Sequence, residues 1–385
     1  MKRIPSLDGL RAISILFVIV GHCVGGSALL HKMGPGSTLL FHLFGNGFLG
    51  VSIFFVLSGF LITTLLLQEH ERTERIDLRD FYFRRAFRIL PPLYFYIAFV
   101  AISSHWTGLS VSTSEIVVAL TFTRNLIFHP HVWEFQHFWS LCIEEQFYLL
   151  WPLALIFALK RGGKAAAAKM SLILIVLAPM LRVATYFVIH RQTLRIDVQT
   201  TLPCRMDALM FGCLAALTIG TPAFERIYDF ASKRIWIFPL FVWVPSNLLT
   251  WRFENYYSLP IGITLDGISI ALFLVWCARN PQSIVGRFLN FKPIAHIGLI
   301  SYSLYIWQTY FLHESNMTFA GRFPQSILFI FLAAEVSWHT VERWSRSVRD
   351  TLEPLLFGAR SRQAQSRNIQ AGHQPVLTVQ SSETE

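Results

Sequence analysis

The chain is a nearly continuous succession of apolar stretches, each about as long as a bilayer is thick. Runs of low polarity cover residues 11–30, 47–67, 91–110, 144–160, 170–190, 203–219, 235–250, 259–278, 296–313 and 323–341. A hydrocarbon core of roughly 30 Å takes about 20 residues of helix, and it offers no water to an open backbone. The fold class expected is therefore all-α, a polytopic membrane bundle of about ten transmembrane helices. Composition agrees: 53% of the 385 residues are hydrophobic and 15% are charged, against about 25% charged in soluble domains. An ordinary cytosolic enzyme, a disordered chain and a disulfide scaffold are excluded. The short stretch 115–128 holds Arg124 and Asn125, so it is expected to be re-entrant or interfacial rather than spanning.

Lysine and arginine set the orientation. With a cytoplasmic N-terminus, the loops on that side collect 25 of the 33 basic residues. That asymmetry predicts both termini in the cytoplasm. The net charge of +10 is then a topological signal facing anionic lipid. It is no nucleic-acid footprint, because no basic run is interleaved with a stacking platform. Beyond about residue 354 the chain turns polar, and residues 346–385 are expected to form a disordered cytoplasmic tail behind a membrane domain of residues 1–345. The five cysteines are odd in number and lack metal-ligand spacing, so they are expected to be small packing residues and no metal is expected.

Ionisable groups are costly inside a bilayer, so each one is a candidate for chemistry. Asp8, Arg11, Ile15 and His22 share one face of the first helix. His22 lies roughly 21 Å along the axis from Asp8 at 1.5 Å per residue. A neutral imidazole there suits a general base; a core histidine satisfied by a neighbouring helix fits equally well. In FYFRRAFRILPP, residues 81–92, Arg84, Arg85 and Arg88 stand just before a span. Arg85 and Arg88 are three apart, so one helical face presents both planar forks, a pattern suited to phosphate. A positive-inside cluster explains their charge but not their spacing. In HFWSLCIEEQFYLLWP, residues 137–152, Glu144 and Glu145 enter a span. One of them is placed to orient a histidine or a hydroxyl. The other is expected to face water, since adjacent helical residues point in different directions. Arg205 and Asp207 are candidate substrate contacts, expected to be partly exposed at the outer end of their span.

These segments converge on a family. PSLDGLRAISILFVIVGH (5–22), FFVLSGFLIT (54–63), FRRAFRILPPLY (83–94), FWSLCIEEQFYLLWP (138–152), RMDALMFGCLAA (205–216), ISYSLYIWQ (300–308) and SWHTVERW (337–344) occur in order. Together they make a sequence that resembles the acyltransferase family 3 integral membrane O-acyltransferases, bacterial enzymes that acylate sugars. The resemblance runs over about residues 5–345. It implies a multi-pass enzyme of the bacterial cytoplasmic (inner) membrane. The acyl group, most often acetyl from acetyl-CoA, would pass to a hydroxyl of a cell-surface carbohydrate or glycolipid. It implies His22 as the essential histidine, with Glu144 or Asp8 orienting its ring. It also implies that Arg85 and Arg88, with Arg84 beside them, hold the acyl-CoA co-substrate. Two departures stand out. Gln308-Thr309-Tyr310 replaces a common His-x-Pro, so no substrate role is read into Gln308, and Trp344 stands where proline is usual. The residues after the last span are too few for an SGNH hydrolase-like domain, so a stand-alone membrane form is expected. A secondary transporter or flippase of a lipid-linked or acylated compound is the alternative. It fits ten spans with buried charge, although no internal repeat supports it.

Overall fold

The structure is a computed structural model and describes residues 4–25, 43–107, 111–126, 133–192, 200–312 and 319–371. Among these residues the chain is helical, with no strand. It opens with α1 (Leu7–Gly25), α2 (Gly47–Thr73) and α3 (Leu78–Thr107). The stretch expected to be re-entrant or interfacial forms the eight-residue helix α4 (Thr113–Leu120), too short to cross a bilayer. A capping box starts it: Ser112 accepts from the Glu115 amide, and the Glu115 side chain reaches back to Ser112.

A 55-residue helical run, Phe138–Gln192, is broken where Gly162 and Gly163 leave helical geometry, Gly163 at φ +63°. Only glycine adopts that backbone freely. The break separates α5 (138–161) from α6 (164–192), matching the two apolar runs expected on either side of a basic loop. After α7 (Leu202–Thr218) the chain turns by 113° into α8 (Pro222–Ser232). Short helical pieces, two of them π-helical at Val242–Ser246 and Ser258–Gly262, lead into α9 (Ile263–Arg279). There follow α10 (Ile284–Leu289), α11 (Lys292–Leu299), α12 (Ser301–Phe311) and α13 (Gln325–Ser337). A last π-helical segment, Trp338–Glu342, joins α13 to α14 (Arg343–Ala371).

Among the described residues, Gly47–Thr73, Leu78–Thr107, Trp133–Val188 and Asn255–Arg279 are each long and apolar enough to cross a membrane. The bent pair of α7 and α8 makes a fifth if it counts as one span. This is a helical membrane protein. The shortfall from ten has structural sources. One long run contains two of the expected spans, and the expected span 296–313 is divided between α11 and α12. Residues 26–30 of the first expected span lie outside the described residues. Helix α14 runs into the polar C-terminal residues as far as Ala371. Arg84 pairs with Glu353, and the rings of Phe83 and Phe357 meet at 5.4 Å, which ties α14 to α3.

Close backbone approach organises the centre. A Cβ added to Gly59 would strike the Leu209 carbonyl, and one added to Gly212 would strike the Val56 carbonyl. The α2–α7 seam is therefore backbone on backbone, the usual reason for small residues between membrane helices. Cys213 lies in the same seam, its thiol 3.6 Å from the Gly59 carbonyl. Gly298 of α11 is pressed against the backbone of Asp8, which fixes the start of α1 against α11.

Candidate active site

A cavity of about 420 Å³ opens among α1, α2, α3, α5 and α12. Helix α1 contributes Asp8 and Arg11, α3 contributes Arg85 and Arg88, and α5 contributes Glu144, Glu145 and Tyr148. Helix α12 adds Ser301, Tyr302 and Tyr305. The carboxylates are largely committed within the protein. Arg11 holds Asp8 at 2.9 Å. Glu144 accepts from the Ser58 hydroxyl at 2.9 Å and from the Tyr148 hydroxyl at 3.3 Å.

Arg85 and Arg88 of α3 are not tied up in ion pairs among the described residues. The Arg85 guanidinium lies 3.5 Å from the centre of the Tyr148 ring, and its Nε is buried without a hydrogen-bond partner. Arg88 is exposed to the cavity. Neither forms an ion pair among the described residues. Two guanidiniums that no ion pair engages, one with an idle Nε, give the cavity donors for an anion beside Glu144 and Glu145 in the same lining.

The other sequence candidates divide sharply. Arg84 belongs outside the cavity, where it pairs with Asp80 at 2.5 Å and Glu353 at 3.3 Å. Its grouping with Arg85 and Arg88 is corrected by helical geometry, since one step along the helix turns the side chain to another face. Arg205 and Asp207 are 2% and 0% exposed, not partly open to solvent. Asp207 is locked to Arg182, whose Nη1 donates to both carboxylate oxygens at 3.0 and 2.9 Å. Arg182 also donates to the carbonyls of Leu259 and Cys204 and to the Thr264 hydroxyl. Thr264 in turn donates to Asp207 at 2.6 Å. Arg205 lies over the rings of Phe48 and Trp139, at 5.3 and 5.8 Å.

His22 does not line the arginine cavity. Its Nδ1 lies 3.3 Å from Gln308 Oε1, and its ring meets the edge of Trp133 at 6.3 Å. The Gln308 amide donates through Nε2 to the Tyr305 carbonyl at 3.3 Å, which turns Oε1 toward the imidazole. Neither carboxylate expected to orient this ring does so. Asp8 is about four turns away along the same helix, paired with Arg11, and Glu144 is held by Ser58 and Tyr148.

Several site residues were not singled out by sequence reasoning. Glu145 faces the cavity together with Glu144 because the cavity is wide enough to meet both. His137 is 1% exposed, with Nδ1 held 2.9 Å from the Thr309 hydroxyl. The signal available was the spacing in SYSLYIWQT. Residues 301, 305 and 308 fall on one helical face, with 302 and 309 beside them. The first turns of that face line the cavity, and the last turn holds the two histidines.

The acyltransferase domain profile matches residues 4–338, which span all of these positions. The chain belongs to this acyltransferase family. Similar members include the O-acetyltransferase OatA of Staphylococcus aureus (strain NCTC 8325 / PS 47), 29% identical over 368 residues, covering 89% of this chain and 57% of that protein. The peptidoglycan O-acetyltransferase OatA of Listeria monocytogenes is 28% identical over 363 residues, with coverage of 89% and 55%. The putative peptidoglycan O-acetyltransferase YrhL of Bacillus subtilis is 27% identical over 371 residues, again 89% and 55%. The chain thus spans little more than half the length of these curated relatives. No solved structure matches.

Proposed function

We propose that this acyltransferase is an O-acetyltransferase of the bacterial cytoplasmic membrane, moving acetyl from acetyl-CoA to a hydroxyl of a cell-envelope carbohydrate. Peptidoglycan, named for two of its relatives, is the first acceptor to test. The observation that carries the reading is the pair Arg85 and Arg88, facing one cavity among helices with neither in an ion pair among the described residues.

Acetyl-CoA, when bound, supplies a thioester carbonyl as the electrophile. Arg85 and Arg88 would hold its phosphates, and the unpartnered Arg85 Nε is a donor available for that task. The Tyr148 ring, itself tied to Ser58 and Glu144, fixes the plane of the Arg85 fork. Glu144 thus supports the anion site rather than the imidazole. Asp8 sets the position of Arg11 at the same cavity. His22 acts as general base. Gln308 Oε1 accepts from Nδ1–H, so the Nε2 lone pair is the one that takes the hydroxyl proton and later releases it to the departing thiolate. A positioned base of this kind is worth about 10²–10⁴ in rate.

The test is transfer of labelled acetyl from acetyl-CoA to soluble peptidoglycan fragments by the purified protein in detergent. His22→Ala should lower transfer at least about 100-fold while the melting temperature stays within error of wild type. Undiminished transfer in that variant would remove the base.

A further inference from the structure

His137 and Thr309 form an arrangement that the donor cavity does not explain. The Thr309 hydroxyl donates its only hydrogen to the Glu134 carbonyl at 3.0 Å, and Tyr96 donates to the same carbonyl at 2.8 Å. The Thr309 oxygen therefore receives a hydrogen from the ring, and the proton of a neutral His137 sits on Nδ1. That leaves a lone pair on Nε2. This atom is buried and has no hydrogen-bond partner among the described residues. Buried acceptors are rarely left this way in native proteins unless a water or a ligand completes them. The surroundings are specific. His22 hangs from Gln308, the residue before Thr309, and packs on Trp133, four residues before His137. Tyr305, at the wall of the arginine cavity, donates to the His137 carbonyl at 3.0 Å. Two imidazoles are thus pinned by consecutive residues of α12, each with its proton on Nδ1 and each offering Nε2.

We propose that His137 is a specificity-determining residue of the acceptor site: its Nε2 receives a hydrogen bond from a polyhydroxylated acceptor while His22 takes the proton of the reacting hydroxyl. A sugar suits this because it carries a second hydroxyl or amide N–H beside the one that reacts. No bond is made or broken at His137. The inference rests on the O-acetyltransferase reading above, and the experiment separates the two.

The variants are His137→Phe, which keeps a flat ring without an acceptor, His137→Gln, which restores one, and Thr309→Val, which removes the anchor of Nδ1. Each is assayed for KM toward acetyl-CoA and toward a disaccharide-peptide fragment of peptidoglycan, alongside thermal melting in detergent. The expected result is an acceptor KM raised at least about tenfold in His137→Phe, with a smaller rise in Thr309→Val. Partial recovery is expected in His137→Gln, and the donor KM is unchanged throughout. Loss of one hydrogen bond at a buried site corresponds to roughly that factor. If His137→Phe does not fold, the other two variants decide by the same criterion. Unchanged acceptor KM in the folded variants would mean that Nε2 faces only a structural water, and the proposal falls. A fall in kcat with both KM values unchanged overturns it too. Failure of the wild-type protein to transfer acetyl would instead sink the functional reading itself, and the proposal with it.

Discussion

Two kinds of arginine lie within the helices of this bundle, and they differ in what they lack. Arg182 is sealed at 0% exposure and spends its donors on Asp207, two carbonyls and Thr264. Arg85 and Arg88 line a cavity, with no ion pair for either among the described residues and an idle Nε on Arg85. The same side chain therefore serves two ends. A fully satisfied guanidinium joins helices, here α6 to α7 and to the approach of α9. An unsatisfied one is completed by something that arrives from outside. Burial alone does not separate the cases; the inventory of partners does.

The comparison can be broken most directly at Arg182. Arg182→Leu leaves Asp207 buried and unpaired, a loss expected to cost about 3–5 kcal/mol. The variant should melt far below wild type or fail to purify as a monodisperse protein. Replacing both partners, Arg182→Met with Asp207→Leu, should recover most of that stability. Survival of the single variant at the wild-type melting temperature would end the structural assignment. Next in size are Arg85→Ala and Arg88→Ala. Each should raise KM for acetyl-CoA by about 10–100-fold, the worth of a charge-assisted hydrogen bond, with little change in melting. If either variant melts like Arg182→Leu, the two classes collapse into one. Arg88→Lys should lose less than Arg88→Ala, because it keeps the charge and gives up only the planar fork. Arg84→Ala should do least. Its partners are at the surface, so the effect on stability stays within about 1 kcal/mol and the donor KM is unmoved. A tenfold rise in donor KM there would bring Arg84 back into the anion site.

What sequence made legible follows from what a helical repeat encodes. Apolar runs locate helices, so the all-helical membrane class and most element positions were readable. The three-residue spacing of Arg85 and Arg88 put both on one face, and both line one cavity. A repeat tells which residues share a face but not what that face meets. Asp207 looked like a surface contact because its partner lies on a different helix, 25 residues earlier in the chain. The orienting partner of His22 was sought among carboxylates, the usual companions of catalytic histidines. It is a neutral amide 286 residues away. Glu145 was set aside by an argument that holds for a flat interface and fails for a concave one. The polar composition of the last residues carried no sign that Glu353 and Phe357 meet α3.

Helix α12 has one more consequence. It is eleven residues long, about 16 Å of rod. Its first turns touch the space assigned to the donor, and its last turn grips both imidazoles. A rod cannot turn at one end only. Any screw motion of α12 about its axis re-aims Gln308 and Thr309 in the same instant that it reshapes the wall at Tyr302 and Tyr305. Filling one compartment and aiming the imidazoles in the next are thus geared to a single mechanical coordinate.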